Sequence, residues 1–487
     1  MAHHTARAAA ILLAACVMGL AQSPGAAAAA RAWHTSHSTQ ILDEFQALLA
    51  IPNIVRVEQD MRRNAEFITA MYARRGVKLE RLSVPGAPAV LFGEIKTSGA
   101  VRTVLFYAHY DGQPVDPAEW KVTQPFVPVI RDGRVWARSA SDDKAPILAL
   151  AAALDSLREA KVPLRVNIKF FFDGEEEAGS PHIGEIIDRN KTKLGADVWL
   201  FCDGPVHQSR RQQVVFGARG SSSVQVTVYG PVRELHSGHY GNWAPNPAMM
   251  MAQLLASMQD EETGKVLVKD FYKDTEPLSE AEQSAIAAAP NFDGEIRKEL
   301  GLNRTLGDGQ RLDELVNRPA LNIQGITSAG VGAEMRNVIP DAASAGIGLR
   351  LAKGDDYRRQ QDRIIEHIRG RGYHVVDAEP DMATRLRYPR ICKVTRASGY
   401  NGVRAPLDSE IARRVLAAVE SARGDVVRLP TMGGSLPIAP IFERMGAPVI
   451  IVPIANHDNN QHGHNENIRL ENLWDGIETM AALLAME

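Results

Sequence analysis

The sequence has little cysteine, no excess of either charge and no repeated unit, and each absence narrows the class of protein. Three cysteines occur among 487 residues, and only Cys202 and Cys392 lie beyond the first thirty. Two thiols are too few for a disulfide framework, so the fold must be held by its hydrophobic core. The 55 Lys and Arg nearly balance 58 Asp and Glu, with no long run of one sign. We therefore expect small-molecule partners and no nucleic acid.

One long apolar run is present, at the N-terminus. Residues 8–20 are almost entirely apolar, follow a single arginine and precede a group of small residues. This pattern predicts a secretory signal peptide over residues 1–30, cleaved near Ala30, and a periplasmic or secreted protein. The run is shorter than the ~20 residues of a membrane-spanning helix, so no permanent span is expected. A lipoprotein signal ending at Cys16 is the alternative, but the apolar residues continue past that cysteine and disfavour it.

Short apolar runs alternate with amphipathic segments in the next part of the chain and again near its end. Strands that alternate with helices predict an α/β fold with a mostly parallel sheet covered by helices. The predicted strands are 103–109, 164–172, 197–202 and 448–453. The predicted helices are 145–157, 181–189, 409–422 and 470–484.

The pattern differs between about residues 214 and 397. Residues 222–229 alternate polar and apolar side chains, which is typical of a strand with one solvated face. The predicted order is strand 222–229, helix 247–258, a polar excursion 260–318, strands 321–326 and 345–351, helix 357–369 and strand 373–376. This order is that of a ferredoxin-like α+β unit. We therefore predict a catalytic domain in two parts, 31–213 and 398–487, with a lid and dimerisation domain, 214–397, inserted between them.

Metal-capable side chains follow four predicted strands or loops of the larger domain, and open α/β sheets place their sites at the carboxyl ends of strands. Taken singly, each side chain has an ordinary explanation as a solvated group. Two imidazoles together with several carboxylates suit zinc, and two-metal hydrolytic sites hold their ions ~3.5–4 Å apart. The candidates are His109, Asp111, Asp142, Asp143, the triplet Glu175 to Glu177, Asp203 and, in the loop after the last strand, His462.

Five blocks carry these residues in a fixed order: YAHYDGQP (107–114), ARSASDDKAP (137–146), FFDGEEEAGS (171–180), RELHSGHYG (233–241) and QHGHNEN (461–467). In their order and spacing, from about Ile41 to its end, the chain resembles the M20 family of co-catalytic zinc peptidases and deacylases. That family contains carnosine dipeptidases, glutamate carboxypeptidases and aminoacylases. The resemblance implies the fold described above and hydrolysis of an amide bond.

The resemblance also implies two zinc ions per subunit, with Mn²⁺ or Co²⁺ as alternatives. The implied ligands are His109, Asp142 and Asp203 for the first ion, and Asp142, Glu177 and His462 for the second. Asp142 is preferred to Asp143 because the family bridges its ions with the first carboxylate of the Asp-Asp-Lys block. His457 and His464 remain alternatives to His462.

Three further residues have roles that the resemblance implies around the metals. Asp111 would hydrogen-bond the imidazole of His109 and fix its orientation. Glu176 would be the general base, and the downstream Gly179-Ser180 pair places Glu176 and Glu177, rather than Glu175, in the functional positions.

Other implied roles belong to the lid domain and the substrate pocket. His236 would donate to the oxyanion, and in dimeric members of the family this histidine comes from the neighbouring subunit, which implies a homodimer through the lid. Gly434 and Ser435 resemble the loop that cradles a substrate carboxylate. The carnosine-dipeptidase branch carries an arginine after Val-Ile-Pro to clamp that carboxylate, whereas this chain has Asp341. The candidate replacements are Arg336, Arg350 and Arg404.

These observations lead to one expected function and two alternatives. The expected function is that of an exported di-zinc metallopeptidase that cuts dipeptides or short peptides with a metal-bridging water activated by a glutamate. An N-acyl amino acid deacylase would use the same mechanism with a different pocket. A non-catalytic solute-binding homologue predicts that ligands or base are lost, and all of them are present.

Overall fold

The computed structural model describes residues 25–487. Its helices are α1 (Ala26–Leu49), α2 (Glu58–Ala73), α3 (Lys144–Glu159), α4 (Ile183–Leu194), α5 (Ser237–Tyr240), α6 (Pro247–Ala256), α7 (Glu280–Ala288), α8 (Asp293–Glu299), α9 (Leu312–Leu315), α10 (Tyr357–Gly370), α11 (Met382–Arg387), α12 (Glu410–Arg423), α13 (Ile438–Met445) and α14 (Leu470–Leu484). Single 3₁₀ turns lie at Pro117–Glu119, Glu176–Ala178 and Gly332–Glu334.

Its strands are β1 (Leu79–Leu82), β2 (Val90–Ile95), β3 (Thr103–His109), β4 (Val129–Arg131), β5 (Arg134–Trp136), β6 (Asn167–Asp173), β7 (Val198–Phe201), β8 (Gln213–Val215), β9 (Gly217–Ala218), β10 (Gly220–Tyr229), β11 (Leu235–His236), β12 (Ala320–Thr327), β13 (Val338–Ile339), β14 (Ala342–Leu351), β15 (His374–Val376), β16 (Ile391–Arg396), β17 (Val403–Arg404), β18 (Val427–Leu429), β19 (Val449–Ile451) and β20 (Asn467–Arg469). Each helix and strand predicted from the sequence is present, with its ends displaced by a few residues. The α/β class is therefore confirmed.

The larger sheet has eight strands in the order β1-β2-β6-β3-β7-β19-β8-β18. Its centre, β6-β3-β7-β19, is parallel, as the alternation of strands and helices predicts. The outer ladders β1-β2 and β2-β6 and the β19-β8 contact are antiparallel. The sheet is therefore mixed, and the prediction of a mostly parallel sheet holds for its centre. The candidate metal ligands lie at the ends of these central strands.

Helices cover both faces of this sheet because successive residues of a strand point to opposite sides. In β3, Phe106 packs into the core formed with α1, α2, α3, α12 and α14. The next residue, Tyr107, packs into the core formed with α4 and α13 on the other face. Both rings are fully buried, so β3 is fixed from both sides and the position of His109 at its end is fixed with it.

A second sheet has the order β12-β14-β10-β16-β15 and its own core with α6 and α10. The ladders β12-β14, β14-β10 and β10-β16 are antiparallel. The sequence assigned the final strand of this unit to 373–376, but that segment is the edge strand β15, paired in parallel with β16. Strand β16, which the sequence analysis did not predict, occupies the position beside β10.

The excursion 260–318 contains α7, α8 and α9 and packs against the part of the chain that follows residue 398. Arg404 of β17 is buried and pairs with Glu282 of α7, with Nε 2.6 Å from Oε1. Arg404 Nη2 also donates to the carbonyl oxygen of Pro277 at 3.0 Å. Arg404 is thus held in a structural ion pair and does not serve as a replacement clamp for a substrate carboxylate.

The described chain begins within the segment that the sequence assigned to a cleaved leader. Helix α1 starts at Ala26, and Ala29 and Ala30 are buried. The cleavage expected near Ala30 falls inside this helix, after residues that already belong to the core. Residue Cys16 and the apolar run 8–20 lie outside the described residues. Among the described helices, none has the length and apolar character that crossing a bilayer requires.

Candidate metal centre

Three neighbouring parallel strands bring their carboxyl ends to one edge of the larger sheet. His109 is the last residue of β3, Asp203 follows β7, and Glu176 and Glu177 form the 3₁₀ turn after β6. Asp142 lies at the end of the loop between β5 and α3, beside this edge. Parallel pairing therefore gathers side chains from segments that lie far apart along the chain.

Two groups of metal-capable side chains form here and share Asp142. The first consists of His109, Asp142 and Asp203, and the second of Asp142, Glu177 and His462; one ligand atom of each residue lies within 4.8 Å of the others in its group. His109 Nε2 lies 2.9 Å from Asp142 Oδ1. His462 Nε2 lies 3.1 Å from Asp142 Oδ2 and 3.2 Å from Glu177 Oε2. The structure thus brings together all five residues that the sequence proposed as ligands.

The three glutamates of the triplet point to different places. Glu175 turns away from the groups, and its carboxylate accepts from the backbone N–H of His182 at 2.9 Å and contacts that ring. Glu177 faces His462 and accepts from Gln113 Nε2 at 2.8 Å. Glu176 Oε2 lies 4.0 Å from His109 Nε2. Glu176 is therefore beside the groups without belonging to either.

Asp111 is fully buried beneath the groups and joins β3 to the glutamate turn. Its carboxylate accepts from the backbone N–H of Glu176 at 3.1 Å and of Glu177 at 3.0 Å. Its Oδ1 also lies 3.2 Å from Nδ1 of His109. One carboxylate thereby orients the imidazole and the turn that carries the two glutamates.

Glu466 is a residue whose role sequence reasoning missed. Its buried carboxylate accepts from the backbone N–H of Ser139, Ser141 and Asp142, from the Ser141 hydroxyl and from Arg138. These five bonds hold the loop that presents Asp142. Its place in the block that contains His462 indicates that Glu466 belongs near the site. The sequence does not indicate which backbone groups its carboxylate binds.

The pKa values around the two groups are shifted in the direction expected where carboxylates lie close together without a cation. Burial and the neighbouring Asp142 carboxylate raise the pKa of Asp203 to about 7. Burial raises the pKa of Glu176 well above its ordinary value, and the nearby carboxylates of Asp203 and Glu177 add to the effect, against the opposing influence of His109. Contacts with Asp142 and Glu177 raise the pKa of His462 to about 10. Divalent cations would satisfy this cluster of carboxylates.

An unpaired buried oxygen supports the fit of the donor set to two zinc ions. Asp203 Oδ1 is buried and has no hydrogen-bond partner among the described residues, although buried polar atoms are almost always paired. A metal ion would supply the missing partner. Imidazole nitrogen and carboxylate oxygen are ligands that zinc accepts.

Other candidate residues lie away from the two groups. His457 and His464 are exposed loop residues and belong to neither group. His236 is exposed at the end of β11, where its Nδ1 accepts from the backbone N–H of Gly238 at 3.1 Å. No contact joins His236 to the five ligand candidates within the described chain.

A polar row lies at the end of the second sheet that faces the loop 433–437. Ser221 of β10 pairs with Arg350 of β14 on one side and with Tyr400 on the other. Arg350 Nη1 donates to the hydroxyl of Ser435 at 2.5 Å. Burial raises the pKa of Tyr400, and the negative charge of Glu176 raises it further. A hydrogen bond from Ser435 acts in the opposite direction. Of the three arginines proposed from the sequence, Arg350 is the one that lies at this loop.

Arg336 has a different environment. Its guanidinium makes a bidentate pair with Glu234, with both distances 2.6 Å, on an exposed surface beside β11 and β13. Asp341, which stands where the carnosine-dipeptidase branch has its clamp, is exposed.

The chain is similar to characterised dipeptidases over most of its length. Beta-Ala-His dipeptidase of Homo sapiens is 28% identical over 403 residues, which are 81% of this chain and 76% of that protein. Cys-Gly metallodipeptidase DUG1 of Saccharomyces cerevisiae is 26% identical over 422 residues, 84% of each protein. The crystal structure of an M20 family metallo-carboxypeptidase, Sso-CP2 from Sulfolobus solfataricus, covers 92% of this chain and 98% of its own with a TM-score of 0.79 at 24% identity.

These relatives correct one expectation. The prediction of an exported protein is wrong, because the Cys-Gly metallodipeptidases that the chain resembles are cytosolic enzymes. The position of Ala30 within α1 argues against cleavage at that residue, since cleavage there would remove buried residues.

The match to the family itself is extensive. A model of peptidase family M20/M25/M40 matches residues 105–486, a range that includes every proposed ligand and the second sheet. The chain therefore belongs to peptidase family M20/M25/M40 and is a metal-dependent peptidase.

Proposed function

We propose that this protein is a di-zinc dipeptidase that hydrolyses the amide bond of dipeptides or short peptides. One observation carries the proposal: two groups of ligands share the carboxylate of Asp142, and Glu176 lies beside them without belonging to either. Such an arrangement provides for two metals and leaves one carboxylate free to move protons.

When bound, two zinc ions would lower the pKa of a water molecule and polarise the scissile carbonyl. Glu176 takes a proton from the attacking water and passes it to the leaving nitrogen. Burial favours this role, since it raises the pKa of Glu176 well above its ordinary value and a carboxylate of higher pKa accepts a proton more readily. Asp111 keeps the turn that carries Glu176 in place through its two backbone hydrogen bonds.

The proposed substrate carries a free carboxylate at its C-terminus. Arg350 and Ser435 supply a guanidinium and a hydroxyl that touch each other at the end of the second sheet, and the charge of Glu176 acts on Tyr400 in the same row. The backbone at Gly434, next to Ser435, has room for an approaching group. The same carboxylate contact would also serve a deacylase that acts on N-acyl amino acids. The relatives that are dipeptidases favour peptides as the substrates.

Arg350→Gln is expected to raise KM for Ala-Ala by roughly 10- to 100-fold, because a charge-assisted hydrogen bond to the substrate carboxylate is lost. The turnover number should change much less, since Arg350 does not touch the reacting bond in this proposal. Steady-state kinetics measure both constants. Ala-Ala amide, which lacks the carboxylate, is the control substrate and should be hydrolysed equally poorly by both proteins. A variant that loses kcat and keeps KM would contradict the assigned contact.

We also propose that residues 214–397 form an inserted, ferredoxin-like lid through which two subunits pair. The segments near His236 carry large apolar side chains that are strongly exposed. They are Trp243 (78% exposed), Met249 (60%), Ile326 (62%), Val331 (84%) and Met335 (74%). Strand β12, which contains Ile326, is also an edge strand, and a partner lid would cover it. In such a dimer His236 serves the partner's site as the oxyanion donor.

The proposed function is tested with purified protein of known metal content. Elemental analysis should find two zinc ions per chain, and dipeptides should be hydrolysed with higher kcat/KM than N-acetyl amino acids. Protein treated with a chelator is the control and should regain activity when zinc is added. Higher kcat/KM for N-acetyl amino acids would favour the deacylase, and full activity in metal-free protein would refute the mechanism.

A further inference from the structure

Two arginines lie side by side at the substrate loop without a carboxylate partner. Arg350 of β14 stands opposite Ser221 of β10, and Arg219 precedes Ser221 by two residues. Arg219 lies in the link between β9 and β10. The next residue, Gly220, pairs with Leu351, the neighbour of Arg350, so Arg219 lies near Arg350 and the charge of Arg350 acts on it. The burial pattern agrees, because Arg219, Ser221, Ser223 and Gln225 are the more exposed residues and those between them are buried.

The surroundings of Arg219 place it beside the proposed substrate loop. The residue before it, Ala218, forms a bridge with Met432, and residues 433–435 follow directly. Arg219 Nη2 donates to the carbonyl oxygen of Arg318 at 3.1 Å. Its Nε is buried and has no hydrogen-bond partner among the described residues. The guanidinium therefore retains unused donors next to the loop that contains Ser435.

The charges of the two arginines are uncompensated among residues 25–487. Burial and the charge of Arg350 lower the pKa of Arg219 to about 10, so Arg219 keeps its positive charge at neutral pH. Like charges close together at a half-buried site are unfavourable. An anionic ligand would offset the repulsion between the two positive charges, and two guanidinium groups match a ligand with two carboxylates.

We propose that Arg219 is a specificity residue that recognises the side-chain carboxylate of a C-terminal Asp or Glu in the dipeptide substrate. This inference rests on the proposed function, in which Arg350 and Ser435 bind the terminal carboxylate. The α-carboxylate and the side-chain carboxylate of one residue are joined by a few bonds, so both fall within reach of neighbouring arginines. The substrate class is therefore a dipeptide with an acidic C-terminal residue.

A structural role is the alternative explanation for Arg219, since its bond to Arg318 fixes the end of the excursion 260–318. That role and the proposed one differ in what they do to substrates. Loss of a structural bond would change the hydrolysis of all dipeptides alike. Loss of a specificity contact would change the hydrolysis of acidic dipeptides alone.

The experiment compares kcat/KM for Ala-Glu and Ala-Gln, which differ by one charge at nearly equal size. Zinc-loaded wild-type protein should prefer Ala-Glu by roughly 10- to 100-fold. Arg219→Gln should reduce this preference to about one by raising KM for Ala-Glu, with its kinetics on Ala-Gln nearly unchanged. Arg219→Lys retains the charge and should keep part of the preference. Arg371→Gln removes an exposed arginine at the end of α10 and should keep the wild-type ratio.

Each result decides between the explanations. Equal hydrolysis of both dipeptides by the wild type would overturn the inference and leave the proposed function intact. An equal loss on both substrates in Arg219→Gln and Arg219→Lys would assign Arg219 a structural role instead. Hydrolysis of neither dipeptide by zinc-loaded wild-type protein would overturn the proposed function together with the inference.

Discussion

Glu176→Gln is expected to lower kcat by about 10²–10⁴ while two zinc ions stay bound. The amide keeps the size of the carboxylate but cannot accept the proton of the attacking water. Metal content should not change, because the carboxylate of Glu176 lies outside both ligand groups, with its Oε2 4.0 Å from Nε2 of His109. Steady-state kinetics and elemental analysis of the same preparation measure the two quantities.

Glu177→Gln is the matched control, since it makes the same chemical change one residue away. Glu177 belongs to the second ligand group and lies 3.2 Å from His462, so this variant should lose about one metal ion per chain. If Glu176→Gln loses metal and Glu177→Gln keeps it, the roles of the two glutamates are exchanged. Glu175→Gln should affect neither ion directly, because Glu175 faces His182.

His236→Ala is expected to lower kcat by about 10²–10³ with zinc content unchanged, as loss of an oxyanion donor typically does. In a dimer with exchanged histidines, each site would combine one subunit's metals with the other subunit's His236. Glu176→Ala homodimers would be inactive for a different reason. Refolding equal amounts of the two variants together should give about half heterodimers by random pairing, each with one complete site, and so roughly a quarter of wild-type activity.

The size of the mixed particle must be checked alongside its activity. Different affinity tags on the two variants allow heterodimers to be isolated, and sedimentation shows whether the wild type is a dimer. Isolated heterodimers that remain inactive would show that His236 acts within its own chain or has no catalytic part. Mixed Glu176→Ala and Glu177→Gln chains are the control, because each chain then carries a lesion in its own metal site and no partner's His236 can restore it.

The elements that could be predicted from the sequence are those with a strong period or an uninterrupted apolar run. Strand β3 and helix α14 agree with their predicted limits because their residues are buried nearly throughout. The first residues of helix α1, 26–30, fall in the predicted leader, since alanines suit a cleavage site as well as a helix. Strand β16 was missed because Lys393 and Arg396 gave it the composition of a loop.

The proposed ligands could be found from the sequence because each lies at a strand end or in a distinctive block. The residues that hold them were harder to find. Glu466 serves five donors that come from a loop more than three hundred residues earlier, and Gln113 reaches Glu177 across the sheet edge. The position of Arg219 near Arg350 can be recognised only from the pairing of β10 with β14. Such roles depend on three-dimensional neighbours that no local pattern encodes.

The buried pair of Arg404 and Glu282 affects how the molecule can be divided. A fragment limited to residues 214–397 would retain Glu282 in a buried setting with no cation to balance it, and the remainder would retain Arg404 without its anion. An uncompensated buried charge typically costs ~3–5 kcal/mol, a large share of the stability of a domain. The boundaries suggested by the chain order are therefore poor points for truncation.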